Sequence, residues 1–244
     1  MYCYVYDEAL QDRKFERELA QIETRLTDLG IAGKIARLAL FREPIDLIRD
    51  EIRGGVTTVV AVGNDMTLRR VIDAVQDRKT VVALLPVGPQ GGMAELLGMP
   101  SGVAACDVLS ARIVEELDVG EVNGKRFVQS VHIEGTDFSI HHGKQYVITP
   151  LRKASIEVRN FAAPDDAGMI SPVDGRLSLI IRLPKFSLFK SKADVGCIPF
   201  EEMFIACEKQ ITATVDGDQL QGKDFSFRVI PKALRLVTGK ARKF

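Results

Sequence analysis

A chain of 244 residues, 46% hydrophobic and 27% charged, has the make-up of an ordinary globular protein with one large core or two modest ones, not of a disordered or fibrous one. Lysine plus arginine and aspartate plus glutamate both number 33, so no global charge draws the chain to nucleic acid. No apolar run approaches the roughly 20 residues that span a bilayer, and the start, Met1-Tyr2-Cys3-Tyr4-Val5-Tyr6-Asp7, lacks a basic and an apolar leader region, which points to a cytoplasmic protein.

Residues 3–6 read as a short strand. Phe15, Leu19, Ile22, Leu26 and Leu29 then recur at steps of four and three, which predicts an amphipathic helix ended by Gly30. Ala32 to Leu40 supplies a second strand, and Pro44 to Arg53 a second helix with proline in its first turn and Gly54-Gly55 past its end. The uncharged run at 56–62 is a buried strand that turns at Gly63. Thr67 opens the next helix, whose apolar positions 68, 71, 72 and 75 keep helical spacing. Thr80 to Val87 is another apolar strand, followed by the turn Gly88-Pro89-Gln90-Gly91-Gly92. Repeated βα units of this length predict a doubly wound parallel sheet over residues 1–106.

After about residue 107 the pattern changes to hairpin signals at Asn123-Gly124, His142-Gly143, Asp174-Gly175 and Asp216-Gly217, with alternating stretches between them. Residues 107–244 are therefore expected to form antiparallel β structure, with a terminal segment able to return to the first domain. Cys3, Cys106, Cys197 and Cys207 have no paired metal-ligand spacing and read as buried thiols. His132, His141 and His142 accompany no serine or cysteine motif and read as surface or satisfied histidines.

The turn Gly63-Asn64-Asp65-Met66-Thr67 sits at the carboxyl end of a strand, where open α/β sheets bind ligands and a new helix offers free N–H groups to an anion. Two readings stay open for Asp65 and Thr67: they cap the helix, or they line a ligand mouth.

Four features stand in the order used by the diacylglycerol kinase catalytic-domain family, which the chain resembles. Val62-Gly63-Asn64-Asp65-Met66-Thr67-Leu68 is similar to that family's strand-end Gly-Gly-Asp-Gly-Thr turn. Leu85 to Pro100 is similar to its Pro-x-Gly-Thr-x-Asn-Asp-x-Ala-x-x-Leu-Gly-x-Pro stretch. Leu117-Asp118-Val119-Gly120 with Val122 to Phe127 resembles its first β-domain hairpin. Val215-Asp216-Gly217-Asp218 stands near its Asp-Gly-Glu, with Val229 to Leu234 following as its closing strand does.

The resemblance implies an N-terminal α/β nucleotide-binding domain, of a kind shared with NAD kinases, beside a C-terminal antiparallel β-sandwich, with the active site in the cleft between them. It further implies transfer of the ATP γ-phosphoryl group to a lipid hydroxyl with Mg²⁺, a chemistry that needs phosphate-binding N–H groups, carboxylates for the metal and a base near the alcohol. Carried over by position, Gly63, Asn64, Asp65, Thr67, Gly88 and Gly91 line the nucleotide site and Asp65 holds the metal. Asp218, supported by Asp216, is the candidate base, one C–C bond shorter than the family's Glu.

The chain also departs from the pattern. Met66 stands at a glycine position, where its Cβ is expected to obstruct backbone approach or a positive φ; Gly92 stands for an aspartate, Pro89 for a threonine and Arg70 for a glutamate. The first strand leads into Asp7-Glu8-Ala9-Leu10-Gln11 rather than Asn-Pro-x-x-Gly. Against those losses, Arg69 and Arg70 could neutralise phosphate. A catalytic lipid kinase of reduced activity, a non-catalytic lipid-binding or regulatory protein on the same fold, and a kinase for a soluble alcohol such as NAD all remain open.

Arg182 to Lys192 combines four positive charges with Phe186, Phe189 and two leucines, a composition suited to an anionic membrane surface; Lys185, Phe186, Phe189 and Lys190 are its expected lipid contacts. The expected partner is a lipid substrate at the inner face of a membrane, with no nucleic acid, and the resemblance implies a homodimer.

Overall fold

The computed structural model describes residues 1–38, 44–75, 78–135, 138–143, 145–151, 154–165, 167–183 and 194–244. They form two compact units: Met1–Leu117 with Ala233–Lys243, and Asp118–Lys232 with Phe244.

In the first unit, β1 (Tyr2–Tyr6) is followed by α1 (Glu16–Asp28), β2 (Lys34–Arg37), α2 (Pro44–Arg53), β3 (Thr58–Gly63), α3 (Asp65–Ala74), β4 (Val81–Pro86), α4 (Met93–Leu96) and α5 (Ala104–Ala111). Every residue of β3 and β4 is buried, as a parallel strand covered on both faces by crossover helices must be. The sheet order is β2, β1, β3, β4, all parallel, and Arg235 and Leu236 of the returning chain pair in parallel with Val81 and Val82. The chain leaves β1 toward β2 and then passes to the opposite side of β1 to lay down β3. The order therefore reverses between β1 and β3, the position at which open α/β sheets take their ligands.

Helix α1 buries Ile22 and Leu26, as its periodicity predicts, but it starts at Glu16. Asp7 and Asp12 each cap a short 3₁₀ turn ahead of it, Glu8–Gln11 and Arg13–Phe15, and these use up the preceding residues. Strand β2 is shorter than the expected Ala32 to Leu40, whose last two residues lie outside those described. Helix α3 opens two residues before Thr67, because Asn64 supplies the cap. Among the described residues no helix is long and apolar enough to cross a membrane.

The second unit is antiparallel. Its strands are β5 (Val114–Val122, entering from the first unit), β6 (Lys125–Phe127), β7 (Ser130–Gly135), β8 (Phe138–His142), β9 (Tyr146–Ile148), β10 (Ala154–Arg159), β11 (Ala162–Asp165) and β12 (Gly168–Ile170). Four more follow: β13 (Leu177–Leu183), β14 (Asp194–Phe200), β15 (Glu202–Val215) and β16 (Asp218–Val237), the last continuing into the first unit. Strand β15 pairs with β8 along Phe204–Cys207 and with β7 at Thr214–Val215, and its register against β16 shifts between Ala206 and Ile211. A long strand that bends at a bulge and changes partner folds one sheet into two layers. Phe127, Ile133, Ile140, Ile156, Leu179, Ile205 and Phe225 meet in the core they share.

Asn123-Gly124 and Asp216-Gly217 close two-residue hairpins with positive φ at both positions, the geometry that right-twisted strands favour. The hairpin expected at Asp174-Gly175 is corrected. That turn lies between β12, which pairs with β11, and β13, which pairs with β10 and β14.

Candidate functional site

The carboxyl ends of β1 and β3 carry Asp7 and Gly63, and the two are in contact. The Asp7 N–H donates to the Val62 carbonyl at 3.0 Å. Gly63 has φ +151°, and a Cβ there would lie 2.5 Å from Thr67 Oγ1 and 2.9 Å from Asp7 Cβ, so no larger residue fits.

Helix α3 begins here with a reciprocal cap. The Asn64 side-chain oxygen accepts from the N–H groups of Met66 (2.9 Å) and Thr67 (3.3 Å), and the Asn64 N–H donates to Thr67 Oγ1 at 3.4 Å. The Thr67 hydroxyl in turn donates to Asp7 Oδ2 at 2.6 Å, and Asp7 Oδ1 accepts from the Ala9 N–H. Thr67 is thus part of the cap, as one reading allowed, whereas the residue that fills the cap position is Asn64.

The Asp65 carboxylate is engaged elsewhere. Its Oδ2 accepts from the Met93 N–H at 3.2 Å and presses on the backbone of Gly91, where a Cβ would lie 2.0 Å away. Gln90 fastens the same loop to the β3 turn, donating from Nε2 to the carbonyls of Gly63 (3.2 Å) and Gly88 (2.9 Å). Gly88 turns the chain at φ +78° against the ring of Phe15. The loops after β3 and β4 therefore form one cluster, with Asp65 against Gly91 and Gln90 bonded to Gly63.

Two acceptor oxygens of this cluster, Asp65 Oδ1 and Gln90 Oε1, are buried with no hydrogen-bond partner among the described residues. An unsatisfied buried carboxylate oxygen is costly. Hard oxygen acceptors of this kind suit a divalent cation, and Mg²⁺ needs only one or two protein carboxylates when phosphate oxygens complete its shell. Among the described residues no group of three or more metal-ligating side chains stands ready to hold a metal on its own. A carboxylate oxygen and an amide oxygen are donors of the type such a cation accepts.

Met66 is 63% exposed and lies in the first turn of α3, outside the residues with positive φ. Met66 is helical, so the positive φ that its Cβ was expected to oppose is not called for at this position. Arg70 Nη1 lies 3.9 Å from Asp7 Oδ2, and Arg69 Nε lies 3.8 Å from Asp73 Oδ2, so both guanidiniums already face carboxylates. Gly92 precedes α4 with open space around it, and Pro89 is exposed.

In the second unit, Asp216 is committed to structure. Its carboxylate accepts the backbone N–H groups of Val128 (2.7 Å), Gln129 (3.0 Å) and Ser130 (2.8 Å) and holds that segment against the β15–β16 turn. Asp218 follows that turn with its side chain 56% exposed and Lys125 Nζ at 3.0 Å. Lys185, Phe186, Phe189 and Lys190 lie outside the described residues. The four cysteines are free; Cys3, Cys106 and Cys207 are buried as read, and Cys197 is exposed. Burial pushes the Cys3 and Cys106 thiols up to about 11, which leaves them protonated and poor nucleophiles.

Asp7 and Gln90 are site residues to which the sequence reading gave no role, although Gln90 lies within the Leu85 to Pro100 stretch. Asp7 carried a local signal, an aspartate at a strand end with a glutamate after it, which reads as a cap. Gln90 carried none.

The model of the "Diacylglycerol kinase catalytic domain" family matches residues 4–122, the stretch that holds every element of this cluster. A "Probable lipid kinase YegS-like" protein of Pseudomonas aeruginosa is 34% identical over 84 residues, 34% of this chain and 28% of that protein. A "Diacylglycerol kinase" of Bacillus subtilis is 29% identical over 121 residues, 48% of this chain and 36% of that protein. The chain thus spans about a third or less of the length of these curated relatives. A crystal structure of a diacylglycerol kinase from Bacillus anthracis superposes with a TM-score of 0.82 over 99% of this chain and 97% of that one, at 15% identity, a likeness of fold. Residues 4–122, which carry the ordered corners at Gly63–Thr67 and Gly88–Gly92, match the model of the diacylglycerol kinase catalytic-domain family.

Proposed function

We propose that the chain is a phosphotransferase of the lipid kinase class, passing the γ-phosphoryl group of ATP to a lipid hydroxyl to give ADP and a lipid phosphate. The observation that carries this reading is Asp65: a carboxylate oxygen buried without a partner, between two glycine-bearing loops at the point where the strand order reverses. Gly63 and Gly91 leave room for that carboxylate and for the Thr67 hydroxyl, and Gln90 holds the second loop in place. Asp65 Oδ1 would hold Mg²⁺, which when bound supplies charge neutralisation to the phosphates. Asp218 would take the proton of the lipid hydroxyl, with Lys125 Nζ at 3.0 Å orienting its carboxylate and Asp216 fixing the turn beside it. The lipid would be met at a bilayer surface through Lys185, Phe186, Phe189 and Lys190, a role supported by their composition alone.

Purified protein given γ-labelled ATP, Mg²⁺ and diacylglycerol in mixed micelles should form labelled lipid, and Asp65→Asn should lower that rate by at least about 100-fold, as loss of a single charge-stabilising group does in other enzymes. Wild-type label transfer that Asp65→Asn leaves unchanged would remove Asp65 from the reaction.

A second reading, a non-catalytic lipid-binding protein on the same fold, is favoured by the Met66 and Thr67 N–H groups being already bonded to Asn64. Binding to lipid vesicles with no ATP-dependent transfer to any lipid alcohol is its signature.

A further inference from the structure

We propose that Asn64 is an internal competitor for the nucleotide: its carboxamide oxygen occupies the place a phosphate oxygen takes at the start of α3, so nucleotide binds only by displacing it. The inference rests on the nucleotide reading of this mouth and adds a specific residue that sets its affinity.

Three observations carry it. Helix α3 runs for ten residues, and the N–H groups of Met66 and Thr67 in its first turn are those that a helix of this length presents to an anion. Both are taken by one atom, Asn64 Oδ1, at 2.9 and 3.3 Å. The Thr67 hydroxyl is also spoken for, accepting from the Asn64 N–H and donating to Asp7. A phosphate oxygen and Asn64 Oδ1 cannot both accept from the same two N–H groups. The backbone makes displacement feasible, because Asn64 sits at φ −123°, ψ −171°, ordinary extended geometry that other residues adopt freely. An amide oxygen is also a weaker acceptor than an ionised one, so the cap yields to phosphate, at the cost of the cap.

The buried Asp65 Oδ1 without a partner stands beside this arrangement and completes the logic. In the free protein the donors of the mouth are satisfied from within while its carboxylate oxygen is not. A phosphate ligand carrying a divalent cation reverses both conditions at once, supplying a cation to Asp65 and a charged acceptor to the two N–H groups. Free nucleotide without a cation does only the second.

Isothermal titration of the full chain with Mg·ATP tests the idea without reading activity. Asn64→Ala removes the competitor and should tighten binding about fivefold, the equivalent of the roughly 1 kcal/mol that a cap contributes. Asn64→Asp keeps the cap with a charged acceptor and should weaken binding by at least as much. The Met66 and Thr67 amide resonances should move on nucleotide addition in the wild type. Binding by Asn64→Ala that equals or falls below the wild type overturns the inference while leaving the nucleotide reading intact. If Asn64→Ala gives no cooperative thermal transition, Asn64→Asp decides, and wild-type affinity in that variant overturns the inference. No binding by any of the three proteins at millimolar Mg·ATP overturns the nucleotide reading itself.

Discussion

Asp65 is held by a backbone N–H and a glycine that lie some thirty positions along the chain, at Met93 and Gly91. That dependence can be tested away from Asp65 itself. In Gly91→Ala the new Cβ would fall 2.0 Å from Asp65 Oδ2, and because the oxygen is fixed by the Met93 N–H, either that bond or the loop must give way. The expected outcome is a loss of about 1–3 kcal/mol in thermal or urea stability, as for other forced overpacking, together with weaker Mg·ATP binding. Gly92→Ala, with open space around it, serves as the control and should change neither. The same contacts explain why the cap was not legible in the sequence. Asn64, Asp65 and Thr67 are all acceptable cap residues, and nothing local ranks them. Asp65 is drawn off by partners beyond β4, which leaves Asn64 to satisfy the helix. Gln90 was invisible for a similar reason, since its donors reach the Gly63 carbonyl 27 residues away.

At the scale of elements, the strands that periodicity identified most directly are those with one environment along their length. Strands β3 and β4 are apolar throughout because both faces are covered, and the turns Asn123-Gly124 and Asp216-Gly217 carry the residues their positive φ values require. Strand β10 is different. Its alternation suggests that Glu157 faces solvent, yet that side chain is only 8% exposed, bonded to Arg159 (2.7 Å) on its own strand and to Arg182 (2.7 Å) on β13, with His132 Nε2 of β7 at 3.5 Å. Asp165 of β11 accepts from both arginines and completes the group. Burial opposes ionisation of Glu157, but the hydrogen bonds from Arg159 and Arg182 outweigh it and hold the carboxyl below its usual range. A carboxyl depressed on folding stabilises the protein at pH values above its unfolded value, and that contribution fades as pH falls through the folded one. Glu157→Gln should therefore cost about 3 kcal/mol near pH 7, as removing one partner of a buried pair does. The gap to the wild type in urea midpoint should narrow as the pH is lowered from neutral toward 3. A gap that stays constant over that range would contradict the pairing as the source of the effect.

The whole molecule is threaded twice between its units: the chain enters the second at Asp118 and leaves it at Lys232. Asp118, 1% exposed, ties both points together. Its Oδ1 accepts the Lys232 N–H at 2.9 Å, its Oδ2 accepts the Gly175 N–H at 2.7 Å, and its own N–H donates to the Pro172 carbonyl. Lys232 is held there at φ +52°, a conformation that a non-glycine residue adopts only when its surroundings enforce it. The Asp174-Gly175 turn, which joins no pair of neighbouring strands, has this carboxylate as its anchor instead. In Asp118→Ala the Lys232 and Gly175 N–H groups lose a charged acceptor, and Lys232 is free to relax. The expected cost is about 3 kcal/mol, from hydrogen bonds to an ionised group that nothing replaces. Hydrogen exchange followed by mass spectrometry should show faster exchange in the segments around 172–176 and 229–235, while the Gly63–Thr67 turn and α3 keep wild-type protection because the hydrogen bonds of their cap join residues of the first unit. Equal loss of protection at α3 would instead mean that the two units unfold as one.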